Sequence, residues 1–318
     1  MRRKVALALL LSMASCMTEG KLLPEEKIES RCLKSNRTIR IYLPPSYERE
    51  RKRRYPVLYL HDGQNVFSSA GRDCCFGWGS WNLDQTVTEL GAAHKMREII
   101  MVAVDNGPSR YQEYRGPAAS TEGGATDPAR QAAAKPSLSR FEAYAGFLIQ
   151  ELKPKIDREY RTLKPAANTG VMGSSLGGIC SIALGWQYPK TFGRAASLSG
   201  SFQIEKKYFL ERVLRAYQQK PKPVRFYLDT GTIDFTGDDD GRKNTEAVVA
   251  SLRRIGWKDG KNLKHFVDEN LRSEAEMEQA GLRRDKWHEA RSSQHNEFYW
   301  RLRAWRALTY LFPPEPRE

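Results

Sequence analysis

Beyond its first residues the sequence has no apolar run long enough to cross a bilayer, and it has no internal repeat. A membrane-embedded body and a repeat architecture are therefore excluded. Cysteine and histidine are scarce, with five of each, and their spacing completes no zinc site. The basic run at positions 51–54 has no interleaved aromatic residues and no accompanying binding motif, so we expect no nucleic-acid partner. The formal net charge of +14 suits anionic envelope polymers or an acidic substrate better.

The first residues have the pattern of an export signal. Three cations at positions 2–4 precede an apolar stretch at positions 5–13, which is too short for a transmembrane span and is followed by small residues. The segment Met13-Ala14-Ser15-Cys16 also resembles a bacterial lipobox, although leucine is usual where Met13 stands. We predict a signal peptide at residues 1–15 and an exported protein. It is either anchored to a membrane through a lipidated Cys16 or released into the periplasm or the medium.

Residues 16–318 are enough to bury one substantial core, and we expect them to form a single domain. Hydrophobic residues make up 40% of the chain and charged residues 28%, as in an ordinary globular protein. In an oxidising compartment Cys32 is free to pair with Cys74 or Cys75, and the sequence does not choose between them. It sets no oligomeric state either.

Short apolar runs alternate with helical patterns along the chain. The runs have the length of strands, and they lie at 38–42, 57–60, 99–104, 169–172, 195–198, 224–228 and 264–267. Apolar residues at helical spacing mark 141–160, 176–187, 245–255 and 297–311. Within the first of these, Pro154 predicts a kink or a boundary. Strands alternating with helices predict an α/β fold with a mostly parallel sheet flanked by helices on both faces.

One motif points to nucleophilic chemistry. The sequence Gly173-Ser174-Ser175-Leu176-Gly177-Gly178 follows a predicted strand and opens a predicted helix, which is the context of a G-x-S-x-G turn. The glycines are needed because side chains at these positions would collide with neighbouring backbone. Ser175 would project at the helix start, where backbone amides favour negative charge. We therefore predict Ser175 as a nucleophile. Ser174, the competing hydroxyl, has the wrong place in the pattern.

A serine nucleophile needs a histidine base that a carboxylate orients. In this context the acid and then the histidine follow the serine in the chain. We prefer His295, which directly precedes the last helix, to His288 in a charged segment and His265 in a predicted strand. The acid should follow the run at 224–228. The candidates there are Asp229, Asp234, Asp238, Asp239 and Asp240. We prefer Asp234, in the turn just beyond the strand, with Asp229 and Asp238 as its main rivals.

Acyl transfer also requires donors for the oxyanion. One is expected to be the backbone amide of Leu176, directly after the nucleophile. The other should come from a loop after an early strand, and His61-Asp62-Gly63-Gln64-Asn65 follows the run at 57–60 as required. Gly63 lets the backbone approach closely, and Gln64 presents its amide. Two neighbours such as His61 and Asp62 do not specify a metal site.

Several short motifs, in this order, resemble the esterase family that includes enterochelin-type siderophore esterases, feruloyl and acetylxylan esterases of carbohydrate esterase family 1, S-formylglutathione hydrolases and mycolyltransferases. They cover nearly all of the chain after the signal. The matching segments are Ile41-Tyr42-Leu43-Pro44-Pro45-Ser46-Tyr47, Tyr59-Leu60-His61-Asp62-Gly63-Gln64-Asn65, Asp105-Asn106-Gly107 with Arg110 and Glu113-Tyr114, the serine turn, Asp229-Thr230-Gly231-Thr232, and His295-Asn296-Glu297 with Trp300 and Arg303.

This resemblance implies the α/β-hydrolase fold and a serine carboxylic-ester hydrolase without metal or organic cofactor. Its implied site residues are Ser175, Asp234 and His295 as a triad, with the backbone of Gly63 and Gln64 and of Leu176 as oxyanion donors. Two segments look longer than the family's usual connections. The segment at 116–139 predicts a mobile loop and the one at 269–293 an exposed helical insertion, and either could shape a substrate pocket. S-formylglutathione hydrolases usually carry histidine where Ser174 stands and are cytosolic, so the signal argues against that branch.

The expected substrate is a small-molecule or carbohydrate ester, with polysaccharide acyl esters and siderophore esters as the two classes. Two alternatives stay open. One is an acyltransferase that acts on envelope carbohydrate in place of water, and the other is a catalytically silent envelope binding protein that retains the fold. Trp78 and Trp81 lie near the predicted site and either stack on sugars or pack in the core, with packing as the default.

Overall fold

The computed structural model describes residues 19–118 and 139–315. The predicted signal at 1–15 and the predicted lipid attachment at Cys16 lie outside the described residues, as does most of the predicted loop at 116–139. Within the described ranges, no helix is both long enough and apolar enough to span a membrane.

The strands of the described residues form one nine-stranded sheet. They are β1 (Lys21–Leu22), β2 (Glu26–Ser30), β3 (Ser35–Leu43), β4 (Val57–Leu60), β5 (Ile100–Val104), β6 (Thr169–Ser174), β7 (Arg194–Leu198), β8 (Arg225–Thr230) and β9 (Leu263–Val267). The order across the sheet is β1-β3-β5-β4-β6-β7-β8-β9, and β2 pairs with β3 off this path. From β5 to β9 all neighbours are parallel, whereas β1, β2 and β5 lie antiparallel to β3. The predicted mostly parallel sheet is confirmed.

Helices connect the strands and cover both faces of the sheet. They are α1 (Leu83–Ala92), α2 (Arg110–Tyr114), α3 (Arg140–Gly146), α4 (Lys153–Glu159), α5 (Leu176–Gln187), α6 (Arg242–Ile255), α7 (Glu274–Gln279), α8 (Trp287–Ser292) and α9 (Glu297–Leu311). A π-helical segment, Phe147–Leu152, joins α3 to α4, and α4 begins beside Pro154 at the boundary that the sequence predicts. A second π-helical segment, Phe209–Leu214, precedes β8.

The core consists of two apolar layers, one on each face of the sheet. Alternate residues of a strand point to opposite faces, so Val57 and Tyr59 of β4 join one layer while Leu58 and Leu60 join the other. Helices α3 to α6 contribute to the first layer, and α1 and α9 contribute to the second. Because both faces are covered, the central strands are apolar throughout, which is why their runs are visible in the sequence.

The charged insertion at 269–293 forms α7 and α8, as the sequence predicts, but it also has a small core of its own. Met277 and Ala290 are buried against Trp78 and against Phe298 and Tyr299 of α9. Trp78 is therefore a packing residue in this cluster, which is the default that the sequence favours. The insertion packs against the start of α9, and this part of α9 closely follows His295 in the chain.

The four described cysteines are free thiols. The Sγ atoms of Cys74 and Cys75 lie 3.4 Å apart. Cys32 packs against Gly146 and forms no disulfide with either of them. The pairing of Cys32 with Cys74 or Cys75 that an oxidising compartment would allow is thus not formed in this structure.

Candidate active site

Ser175 occupies a strained turn between β6 and α5. Its backbone has φ 52° and ψ −120°, a conformation that costs a side-chain-bearing residue of order 1–3 kcal/mol. Two glycines make the turn feasible. A Cβ added to Gly173 would lie 2.7 Å from the carbonyl carbon of Gly177, and one added to Gly177 would lie 3.1 Å from the Cβ of His61. The turn therefore presents the Ser175 side chain at the carboxyl edge of the sheet, where parallel α/β sheets place their ligands.

His295 lies against this serine. Its Nε2 is 2.9 Å from the Ser175 Oγ, although 119 residues separate the two in the chain and His295 follows the far edge of the sheet. Its ring also packs edge-on against Trp300, with ring centroids 5.1 Å apart. The structure thus brings together the serine and the histidine that the sequence selects.

The loop that carries His295 is held by its neighbours in sequence. The buried Gln294 side chain accepts a hydrogen bond from the Thr232 amide (2.6 Å) and donates one to the Asp268 carbonyl (2.9 Å), which ties the loop to the ends of β8 and β9. Asn296 caps α9 by accepting a hydrogen bond from the Tyr299 amide (3.2 Å). Sequence reasoning missed Gln294, because its position beside the histidine carries no motif.

The carboxylate against His295 is Asp240, not Asp234. Asp240 Oδ1 lies 2.6 Å from His295 Nδ1, and its other oxygen accepts hydrogen bonds from the Ser199 hydroxyl (2.6 Å) and from the Gly231 amide. Asp240 is buried and adopts the left-handed conformation, with φ 53°, just before α6. The prediction that Asp234 contacts the histidine is therefore corrected to Asp240.

Asp234 caps its own turn instead. Its Oδ1 accepts hydrogen bonds from the Thr236 amide (2.8 Å), the Thr236 hydroxyl (2.7 Å) and the Asp238 amide (3.1 Å). Burial raises the pKa of Asp234, but these hydrogen bonds outweigh it and hold the pKa below its usual value. The rival Asp238 is exposed to solvent. The chain thus needs six more residues to turn back before a carboxylate reaches the histidine.

The other rival, Asp229, belongs to a buried layer beneath Asp240. It accepts a hydrogen bond from the Tyr227 hydroxyl (3.0 Å) and lies 3.3 Å from Nε of Arg303. Burial raises the pKa of Asp229 to about 6, although the Arg303 guanidinium opposes this. Arg303 also donates a hydrogen bond to the Ser199 hydroxyl (2.7 Å), so it supports Asp240 through Ser199.

The loop after β4 has a rigid frame. A Cβ on Gly63 would lie 2.7 Å from the Val104 backbone, so only glycine fits against β5. Asp62, at φ 54°, accepts two hydrogen bonds from the Arg110 guanidinium (2.6 and 2.8 Å) and one from the Asn106 amide group (2.6 Å). The Gln64 side chain accepts a hydrogen bond from the Asn106 backbone (3.2 Å). Asn106 and Arg110, which belong to two of the sequence motifs, therefore hold this loop in place.

Two sets of backbone amides follow β4 and β6, which are parallel neighbours in the sheet. Gly63 and Gln64 begin the framed turn Gly63–Asn65, and Leu176 is the first residue of α5, where helix amides have no acceptor within the helix. Their role as oxyanion donors stays a prediction.

His61 contributes packing and no charge. Its ring is buried between Tyr114 and Tyr144, with Nδ1 2.9 Å from the Tyr144 hydroxyl, and burial lowers its pKa to about 4. In the part of the chain that the structure describes, no three histidine, cysteine, aspartate or glutamate residues are grouped to hold a metal ion.

Glu297 is an unusual carboxyl at the edge of the site. It begins α9, two residues after His295, and lies 3.5 Å from the Asn65 side-chain amide, which donates to it. Burial raises the pKa of Glu297 to about 7, and the charge of Asp62 adds to this effect. The group therefore titrates near neutral pH in the folded protein.

This shift predicts a pH-dependent stability. The pKa of Glu297 in the folded chain is raised above its unfolded value of 4.5, so its favourable contribution is complete below pH 4.5 and is lost as pH rises through about 7. Glu297→Gln removes the titration and keeps an acceptor for Asn65. From pH 5 to pH 8, we expect the free energy of unfolding of the variant to rise by about 1–3 kcal/mol relative to that of the wild type. Urea unfolding of both proteins at the two pH values measures this, and parallel stability–pH curves would refute it.

Comparison with known proteins places this geometry in context. A protein-family model described as "Putative esterase" matches residues 30–307. The "Uncharacterized protein YbbA" of Bacillus subtilis (strain 168) is 24% identical over 233 residues, which cover 70% of this chain and 80% of that protein. The "Uncharacterized protein YjcH" of the same strain is 26% identical over 210 residues, covering 65% and 72%.

Solved structures share the fold. A ferulic acid esterase superposes with a TM-score of 0.63 at 16% identity and covers 93% of this chain and 99% of its own. The enterobactin esterase FES from Shigella flexneri, solved in the presence of enterobactin, superposes with a TM-score of 0.58 at 20% identity. That match covers 91% of this chain and 58% of the other. The chain therefore has the α/β-hydrolase fold of these esterases.

Proposed function

Because the chain belongs to the family described as "Putative esterase", we propose that it is a serine hydrolase that cleaves a carboxylic ester through an acyl-enzyme on Ser175. Family membership and the esterase fold support ester hydrolysis. The observation that carries the finer proposal is the continuous chain from Ser175 Oγ to His295 Nε2 (2.9 Å) and from His295 Nδ1 to Asp240 Oδ1 (2.6 Å). A base within 3 Å of a hydroxyl, itself held by a buried carboxylate, is the arrangement that activates a serine.

In the first half-reaction Ser175 Oγ attacks the ester carbonyl while its proton passes to His295 Nε2. The imidazolium that forms is stabilised by Asp240, which keeps Nδ1 as the donor. The carbonyl oxygen becomes negatively charged, and amides of Gly63, Gln64 and Leu176 are the proposed donors to it. Collapse of the tetrahedral intermediate breaks the ester bond, and His295 gives its proton to the leaving alcohol.

In the second half-reaction water takes the place of the alcohol. His295 removes a proton from the water, the hydroxide attacks the acyl group on Ser175, and the acid leaves as Ser175 Oγ recovers the proton from His295. Every proton is thus carried by one imidazole, and the scheme calls for no metal and no organic cofactor.

We propose polysaccharide acyl esters and siderophore esters as the substrate classes. The structural neighbours include proteins described as a ferulic acid esterase and an enterobactin esterase. Here Phe76 is 92% exposed and Phe235 is 57% exposed, and the Phe235 ring lies 6.3 Å from Trp78. Exposed aromatic rings in the loops after β4 and β8 favour a flat, apolar group on the substrate.

Export is also part of the proposal. The cations and the short apolar stretch at positions 2–13 support a signal peptide, and Cys16 supports a lipid anchor as one of its two outcomes. An exported enzyme would meet polysaccharide and siderophore esters outside the cytoplasm.

Covalent labelling tests the proposal. A fluorophosphonate probe is expected to label the folded protein once, on the peptide that contains Ser175, and heat-denatured protein should remain unlabelled because the activated serine needs the fold. Competition by feruloyl, acetyl-xylan and siderophore esters ranks the substrate classes. Folded protein that resists labelling and hydrolyses none of these esters would establish the silent binding protein in place of the enzyme.

A further inference from the structure

A second serine lies against the proposed nucleophile. Ser201 follows β7, and its hydroxyl oxygen is 3.1 Å from the Ser175 Oγ. Its side chain is only 6% exposed, and its backbone amide donates a hydrogen bond to the Ser175 carbonyl (3.0 Å). The backbone of Ser201 is therefore fixed to the strained turn at Ser175, and its side chain contacts the Ser175 side chain.

The protons of the site determine which hydroxyl donates. Asp240 is surrounded by donors, namely the Ser199 hydroxyl and the Gly231 amide, as an ionised carboxylate would be. An ionised Asp240 accepts from His295 Nδ1–H, which leaves Nε2 of the neutral imidazole without a proton. Nε2 must then accept from the Ser175 hydroxyl, and this uses the one proton that Ser175 has. The hydrogen bond between the two serines is consequently donated by Ser201.

The strength of this hydrogen bond changes during the reaction. In the resting enzyme its acceptor is a neutral hydroxyl oxygen. As the Ser175 proton passes to His295, the oxygen gains negative charge and the bond becomes charge-assisted, which makes it shorter and about twice as strong. Only interactions that are stronger in the transition state than in the ground state accelerate a chemical step.

We propose that Ser201 is a further catalytic residue, whose hydroxyl donates to the Ser175 Oγ and stabilises its negative charge as it attacks the ester. The inference rests on the proposed role of Ser175 as nucleophile. The same bond assists the second half-reaction, because Ser175 Oγ then departs from the tetrahedral intermediate as a developing anion. The substrate makes no contact with Ser201 in this scheme, so substrate binding is unaffected.

Ser197 offers a matched comparison three residues away from the Gly200–Ser201 turn. It is a fully buried serine of β7 whose hydroxyl has no hydrogen-bond partner among the described residues. Replacing it by alanine removes one buried hydroxyl, as Ser201→Ala does, and that hydroxyl makes no hydrogen bond to Ser175, His295 or Asp240.

The test compares Ser201→Ala, Ser201→Thr and Ser197→Ala with the wild type on a nitrophenyl ester and with a fluorophosphonate. A charge-assisted bond predicts that Ser201→Ala lowers kcat and the labelling rate by roughly 10- to 100-fold, with KM changed by less than about threefold. Ser201→Thr keeps the hydroxyl and should recover most of the rate, and Ser197→Ala should behave as the wild type. Thermal unfolding of each variant shows that it is folded.

The outcomes separate this inference from the proposed function. If the wild type is labelled on Ser175 and folded Ser201→Ala reacts as fast or faster, the hydroxyl only holds the resting serine, and the inference is wrong while the esterase mechanism stands. If the Ser201→Ala effect lies in KM, or if Ser201→Thr is no better than alanine in a folded protein, the residue acts through packing. If the wild type itself is not labelled, the proposed function fails first.

Discussion

Replacing Ser175 by alanine is expected to lower kcat/KM for an ester substrate by roughly 10⁶-fold, to the residual rate that oxyanion donors and substrate binding supply without a nucleophile. The loss is large because no other hydroxyl can take over. Ser201 lies 3.1 Å away but has no base of its own, since His295 Nε2 faces Ser175. Alanine fits the same turn, so the fold should persist.

Ser174→Ala is the control for this prediction. Ser174 is the neighbouring hydroxyl in the Gly173-Ser174-Ser175 turn, it is buried at the end of β6, and it is the serine that the motif rejects. We expect Ser174→Ala to keep activity within about tenfold of the wild type, as for a substitution that leaves the reacting groups in place. Near-normal hydrolysis by Ser175→Ala together with a large loss in Ser174→Ala would show that Ser175 is not the nucleophile and that Ser174 is.

Much of the architecture is visible in the sequence because the central strands are covered on both sides. The run at 57–60 coincides with β4, and the patterns at 176–187 and 297–311 coincide with α5 and α9. The edge strands β1 and β2 escaped prediction, since they are short and exposed and carry no apolar run. The spacing of apolar residues indicates which side chains are buried, and β1 and β2 have few buried side chains.

The positions of Ser175 and His295 were predictable for a different reason. Ser175 lies in a turn whose glycines are imposed by close packing, so the backbone itself leaves a pattern in the sequence. His295 has few competitors, because only three histidines follow the serine. One of the rivals, His265, lies within β9, and the other, His288, is exposed on α8.

The carboxylate that contacts His295 was not predictable from the loop that contains it. Five aspartates lie between 229 and 240, and the choice among them depends on how the chain turns between β8 and α6. Asp234 is used up by its own turn, and the chain bends back only at Asp240 and Gly241, both of which have positive φ. The Asp240-Gly241 pair just before a helix was the one local signal. Ser199 and Arg303, which hold Asp240, are distant from it in sequence, so the loop itself does not indicate these contacts.

The second large effect concerns this acid. Asp240→Asn preserves the shape of the side chain but presents an amide to His295 Nδ1. Nδ1 then accepts from the amide, the ring proton moves to Nε2, and Nε2 can no longer accept the Ser175 proton. We expect kcat/KM to fall by about 10³- to 10⁴-fold. Asp234→Asn is the matched control, because asparagine retains the oxygen that accepts from Thr236 and Asp238.

One measurement tests most directly whether Ser175, His295 and Asp240 form one catalytic unit. It compares kcat/KM of Asp240→Asn and Asp234→Asn side by side on one nitrophenyl ester. Thermal unfolding checks that both variants are folded. A thousandfold or larger loss for Asp240→Asn with Asp234→Asn within about threefold of the wild type is the predicted result. A folded Asp240→Asn enzyme with nearly full activity, or a large loss confined to Asp234→Asn, would contradict it.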